Sequence, residues 1–347
     1  ALFRDADIPK RLIPGALALG AFTFTMSALP GTPAIQNAIP MPFFGTSAFA
    51  APGLGIIAAA IMAGLGMAWL NRRAAKAAAA GEGFGSYDDV IPEPDHEMRT
   101  RSHGEGFDLN ELEDVTRQNP NEPPFALAIA PVILVVAVNF AFVQFVLPQM
   151  DTSYLAEPIF GQTTIEAVRG VWSIIVALTV SIVFLLATNW RRLVSVKVSL
   201  NKGADAAVLP IFNTASLVGF GAVIAALPVF QLITEAMLGL SEGNPLVSVA
   251  ISVTSLSAIT GSASGGMSIA LDALGAQFVA LAAATNTSLE AMHRVTSVAS
   301  GALDALPHNG AVITVLSICG LTHKEAYGDI FVVAVIVPMI ALVCIIV

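Results

Sequence analysis

At 347 residues, with 55% hydrophobic and 12% charged content and a mean hydropathy of +0.76, the chain falls outside the ordinary soluble class, where charge runs to roughly 25%. Runs of about 20 apolar residues match a hydrocarbon core roughly 30 Å thick, and the ten-residue alternation of a membrane β-barrel is missing. The formal net charge of −9 points to no partner: between Arg72 and Pro123 stand about 12 acidic and 6 basic residues, so most of the excess sits in one loop, and nothing basic and aromatic suggests nucleic acid.

The sequence therefore predicts an all-α polytopic membrane protein. Residues 12–29 read as a short membrane helix stopped by Pro30. The stretch PGTPAIQNAIPMP (30–42) has four prolines and a Gln-Asn pair. Residues 53–70 span again and end at Arg72, Arg73 and Lys76, so 1–71 form one unit. Residues 72–123 are an acidic, Gly/Pro-punctuated linker with too little apolar content to fold a core.

A second unit covers 124–347. Residues 125–147 span, 148–169 are polar, and 170–190 span back to Arg191 and Arg192. Residues 193–205 read as an interfacial amphipathic segment, with Lys197 and Lys202 beside Leu193, Val196 and Leu200. The apolar stretch 206–238 is interrupted by Asn213-Thr214, Gly219, Gly221 and Pro228. These breakers favour a re-entrant hairpin turning near 213–221 over one long tilted helix. A broken segment follows at about 246–285, around the small-residue run GSASGG (261–266). Another covers about 295–318, and 328–347 close the chain.

Short flanks rich in Lys and Arg face the cytoplasm, and the clusters Lys10-Arg11, 72–76 and 191–202 alternate accordingly. The linker then lies inside, and residues 30–42 and 148–169 outside. Cys319 and Cys344 lie in apolar surroundings, as packing residues rather than a disulfide framework. No signal peptide is visible.

The most informative stretch is GALDALPHNGAVIT (301–314). Asp304 and His308 are four apart and share a face if the helix continues through them. Pro307 removes a backbone donor, and Asn309-Gly310 permits a turn where a spanning helix should continue. Broken backbone at membrane depth survives only inside protein or against a wet cavity.

The same pattern occurs near the start: SALPGTPAI (27–35) aligns with DALPHNGAV (304–312), and a later glycine and closing helix follow each. An internal repeat of this kind makes 1–71 the tail of a first repeat and 124–347 a whole second one. About 150 residues of the first repeat are then expected ahead of Ala1. Breakers in corresponding positions of two halves are the sequence pointer to a secondary transporter's site.

ALPGTPAIQNAIP, GSASGG, ALDALPHNGAVIT and CGLTHKEAYGDIFVV resemble the gluconate:proton symporter (GntP) family of the ion-transporter superfamily. The resemblance covers the chain except the acidic linker. It implies two inverted repeats with re-entrant hairpins and broken helices, a homodimer, elevator-type alternating access, and proton-coupled uptake of gluconate, related sugar acids or hydroxy acids through the inner membrane.

The substrate-binding candidates divide by motif. Pro307, His308, Asn309 and Gly310 place a half-helix N-terminus, with its free amides and positive dipole end, where a carboxylate can be held. Asn213, Thr214 and Ser216 offer amide and hydroxyl groups at the expected hairpin turn. Ser262, Ser264 and Gly265 sit in the small-residue run; Gly31, Thr32, Gln36 and Asn37 are the first-repeat counterpart. Asp304, His308 and Asp272 are the proton-coupling candidates, since an ionisable residue inside a membrane is a functional hypothesis by default. The five His are scattered, so no metal-ligand cluster is expected, and GSASGG lacks the strand and Lys of a phosphate loop. No cofactor is expected; the coupling ion is H⁺, with Na⁺ as alternative. The competing readings are a sodium-coupled di- or tricarboxylate carrier and, more distantly, an intramembrane hydrolase using Ser264 or Asp304 with His308.

Overall fold

The computed structural model describes residues 2–85, 123–193, 195–225, 227 and 243–347. The regular elements among the described residues are all helices, with no strand. Among the described residues five helices are long and apolar enough to cross a membrane, so the protein is a polytopic, all-α membrane protein.

In chain order, α1 is Ile13–Ala21. It ends in an irregular stretch containing a π-turn over Phe24–Ala28. Two short helices follow, α2 (Ile35–Ala38) and α3 (Pro40–Phe44). The first span is α4 (Pro52–Ala79), which carries Arg72, Arg73 and Lys76 in its last two turns. It thus runs past the expected boundary at residue 71; of the acidic linker, 86–122 lie outside the described residues.

Helices α5 (Phe125–Ala141) and α6 (Ile165–Asn189) pair along their length. Both are largely exposed, as expected of faces turned to lipid; they meet the rest through a small cluster of Met41, Ala48 and Ile174, through Arg169, which donates to Gly45 O at 2.7 Å, and through the Phe49–Phe140 ring contact.

α7 (Val196–Ala225) is one helix and corrects two expectations. The segment 193–205 continues into it, and no turn occurs at 213–221. Asn, Thr, Ser and Gly each cost at most about 1 kcal/mol in a helix interior, which packing readily overrides. α7 packs on a later helix; the rest of the stretch expected as a hairpin, to residue 238, lies outside the described residues apart from Leu227.

The reversal occurs further on. α8 (Pro245–Thr260) and α9 (Ala263–Ala284) form the most extensively packed helix pair among the described residues. Gly261 turns the chain between them at φ +62°, a left-handed conformation that suits glycine. Close approach depends on Gly266, where a Cβ would run into the backbone N and Cα of Ser257. GSASGG is therefore the tip of a helical hairpin.

α10 (Leu289–Ser300) ends in the irregular stretch 301–309, from which α11 (Gly310–Ile318) departs. The closing span is α12 (His323–Phe331), a π-turn over Val332–Ile336, and α13 (Val337–Ile346). A capping box of Thr322 and Glu325 starts α12, satisfying amides that would otherwise be orphaned.

Contacts at helix ends fix the chain directions. The start of α4 meets the start of α10, where Ala51 N–H donates to Glu290 Oε2 at 3.4 Å. The end of α4 meets the first part of the closing span, in the last turn of α12: Asp329, buried, accepts from Arg73 Nε at 2.8 Å and Trp69 Nε1 at 2.9 Å. Arg11, just ahead of α1, lies 3.6 Å from Asp329 and pairs with Glu82 at 2.6 Å. Thus α1–α4 and α10–α13, the two stretches aligned by sequence, run in opposite directions. The left-handed glycine after each short helix recurs too, Gly45 at φ 60° and Gly320 at φ 59°.

Candidate functional site

Both halves of the aligned pattern interrupt a helix, and the two interruptions cross. Ser297 on α10 donates its hydroxyl to Ser27 O at 2.9 Å. Gly301 lies so close to the other break that a Cβ there would be 3.2 Å from Met26 and 3.4 Å from Ser27. From this crossing the first break runs on through residues 28–50 and the second through 301–309.

At the second break the candidate residues meet the hairpin tip. Asn309 caps α11 with Oδ1, which accepts from Val312 N–H at 2.9 Å, while its Nδ2 donates to Gly261 O at 2.8 Å. His308 Nε2 lies 3.0 Å from Ala258 O. On the hairpin side Ser262 caps α9 by accepting from Gly265 N–H at 3.2 Å, with the Ser264 hydroxyl 3.4 Å away. Two helix N-termini, those of α9 and α11, therefore stand within about one turn of each other. Their first amides, on Ala263, Ser264, Gly310 and Ala311, have no acceptor inside their own helices. The C-terminus of α8 shares the junction, but its carbonyls at Ala258 and Gly261 face the side chains of His308 and Asn309. Two positive dipole ends, each of a kind that favours an anion, thus adjoin one negative end at this junction.

Asp304 and His308 part company. α10 ends at Ser300, so the two share no helical face: Asp304 is buried, whereas Pro307 and His308 are exposed. Two groups from α12 hold the carbonyls between them; Tyr327 OH donates to Ala305 O at 3.1 Å, and His323 Nε2 lies 2.9 Å from Pro307 O.

The first break is built differently. Asn37, fully buried, donates Nδ2 to Thr32 O at 2.9 Å and Ala48 O at 3.0 Å. Thr32 turns its hydroxyl back to Leu29 O at 3.2 Å. Gly31 has φ +80°, and a Cβ there would strike the ring of Phe49. These residues hold the loop's own shape, and Gln36 is buried beside them.

The remaining candidates lie apart. Ser216 is exposed on α7, which packs on α9; the side chains of Asn213 and Thr214 lie outside the described residues. Asp272 is exposed midway along α9. Among the described residues no cluster of His, Cys, Asp or Glu suits a metal ion. An apolar cavity of about 430 Å³ between α8 and α13 has little polar lining and offers a carboxylate nothing.

The residues that sequence reasoning missed are His293 and Arg294, both fully buried on α10. His293 bridges Thr46 Oγ1, 2.6 Å from Nδ1, and Asn37 Oδ1, 3.1 Å from Nε2. Arg294 donates to the carbonyls of Ala28, Ala48 and Ala50 at 2.8–3.3 Å. The only sequence signal was a cationic pair on a segment otherwise fit for burial.

Five helices long and apolar enough to span among the described residues, with oppositely directed broken helices crossing beneath a helical hairpin, make this a multi-pass membrane protein, and its relative makes it a transporter. The chain is 44% identical over 344 residues to "Uncharacterized transporter YxjC" of Bacillus subtilis (strain 168), covering 96% of this chain and 69% of that protein. It belongs to the same transporter family as YxjC. No protein-family model matches the chain, and no solved structure does.

Proposed function

We propose that the protein is a secondary active transporter that carries a small organic acid anion, gluconate or a related sugar or hydroxy acid, together with protons across the cytoplasmic membrane, and that it works as a homodimer. The observation that carries this reading is the meeting of the α9 and α11 N-termini at Gly261 and Asn309. A carboxylate cannot enter hydrocarbon without compensating donors. Paired helix N-termini provide them from backbone, without a lysine or arginine in direct contact.

In this reading Ser262, Ser264, Gly265, Asn309 and Gly310 contact the substrate. Asp304, buried next to the crossing, takes up the coupled proton, which offsets the charge moved. Membership of the gluconate:proton symporter family, suggested by the four motifs above, is part of the same proposal.

The test is uptake of labelled gluconate into proteoliposomes under an inward proton gradient, an inward sodium gradient, or neither. Accumulation that follows the proton gradient alone supports the proposal. Accumulation driven by sodium alone would transfer the assignment to sodium-coupled carriers, and equilibration without accumulation would make the protein a passive pore.

A further inference from the structure

We propose that Arg294 is the positioning residue for the first-repeat side of the site, and that its charge makes the crossing of the two breaks attract anions. The second clause rests on the transport reading above; the first does not. Arg294 belongs to α10, yet all its acceptors belong to the first break and the loop after it. Nε donates to Ala50 O at 3.1 Å, Nη1 to Ala28 O at 3.3 Å, and Nη2 to Ala48 O at 3.2 Å and Ala50 O at 2.8 Å. These carbonyls flank a loop more than twenty residues long, so one planar guanidinium closes it. Lysine, a point charge on a flexible stem, cannot reproduce that fork.

Neighbouring residues confirm that the slot is shaped for this side chain. At Gly55 on α4, a Cβ would meet Ala28 O at 2.5 Å and Arg294 Nε at 3.1 Å. His293, one position earlier, secures the same loop through Thr46 and Asn37.

The charge is the second half of the argument. Among the described residues no carboxylate lies within 4.0 Å of this guanidinium. Glu290, one helical turn earlier, accepts instead from Ala51 N–H. A fully buried cation facing only carbonyl dipoles keeps its field, which reaches much further in a low-dielectric interior than in water. Ala28 adjoins Ser27, and Ser27 touches Gly301 where the breaks cross. An anion arriving there comes within reach of that field.

The experiment compares the full chain with Arg294→Gln and Arg294→Lys, reading hydrogen exchange of amides 28–50 against those of α13, and the KM and maximal rate of gluconate uptake in proteoliposomes. Exchange over 28–50 should quicken about tenfold in both variants, with α13 unchanged, because neither replacement spans three carbonyls. The gluconate KM should rise about tenfold in Arg294→Gln and recover to within about threefold in Arg294→Lys, which keeps the charge. Unaltered exchange over 28–50 overturns the positioning role. A KM in Arg294→Lys as high as in Arg294→Gln, or a fall in maximal rate alone in both, overturns the role of charge. If wild-type protein takes up no gluconate, the proposed function falls while the exchange measurement still decides the positioning role. If Arg294→Gln does not fold, exchange in Arg294→Lys decides it.

Discussion

The two helix interruptions face the same problem, unpaired backbone inside an apolar protein, and meet it in opposite ways. The first is closed by side chains from a distant part of the chain: Arg294 and His293 reach in from α10, and Asn37 spends its amide on Thr32 and Ala48. The second is held by its own cap and by a few single bonds to the hairpin and α12, with Pro307 and His308 exposed. The first break is clamped by several buried donors, whereas Asn309 and His308 tie the second to the hairpin tip with one contact each.

The contrast breaks most completely at the hairpin itself. Gly266→Val should cost more than about 3 kcal/mol, since overpacking against backbone has no flexible side chain to absorb it. The expected result is loss of monodisperse protein on size-exclusion chromatography; normal yield and melting would mean that α8 and α9 are not so closely packed.

Asn309→Ala comes next. It removes the cap of α11, worth about 1–2 kcal/mol, and the link to Gly261, while membrane insertion stays intact. Accumulation of gluconate should fall at least about tenfold, since the contact with Gly261 and the proposed anion site share this residue. Wild-type uptake in this variant would separate the junction from transport. Asp304→Asn should instead abolish accumulation driven by a pH gradient and spare exchange of labelled for unlabelled substrate. Loss of both would mean that Asp304 shapes the break and carries no proton.

These tests also mark what the sequence made legible. Pro307 and Asn309-Gly310 announce a break because each acts locally, through a missing donor or a permitted turn. GSASGG announces an interruption too, but reversal of the chain depends on packing of Gly266 against Ser257, which no local pattern encodes. Residues 213–221 mislead for the complementary reason: their breakers are weak, and helix packing overrides them. Arg294 was illegible as the clamp on the first break because its partners are carbonyls, which every residue has. Opposed chain directions were foreshadowed by the ALP repeat at 28–30 and 305–307, and by the alternation of basic flanks.

Smaller effects sharpen the clamped side of the comparison. Asp329→Asn leaves Arg73 and Trp69 without their shared carboxylate and should lower stability by about 1–3 kcal/mol, discounted for the partial exposure of Arg73. The reading is thermal melting in detergent, with transport kinetics little changed.

The smallest effect belongs to Arg11 and Glu82. The hydrogen bond from Arg11 holds the Glu82 carboxyl below its ordinary value of 4.5. A carboxylate with a depressed folded pKa stabilises the protein above 4.5 and loses that contribution as pH falls through the lowered value. The exposed pair is worth at most about 1 kcal/mol. Glu82→Gln should therefore melt slightly below wild type at pH 7, and the gap should close in acid.

The clamp on the first break also sets an order of assembly. Ala50 and Arg294 are separated by 244 positions, so at roughly 5–20 residues per second the loop's carbonyls wait on the order of tens of seconds for their donor to leave the ribosome. Until then the opening segments of the chain cannot reach their final shape. Biogenesis must shelter an unfinished loop from lipid, and a chain truncated before residue 294 should be degraded rather than accumulate in the membrane.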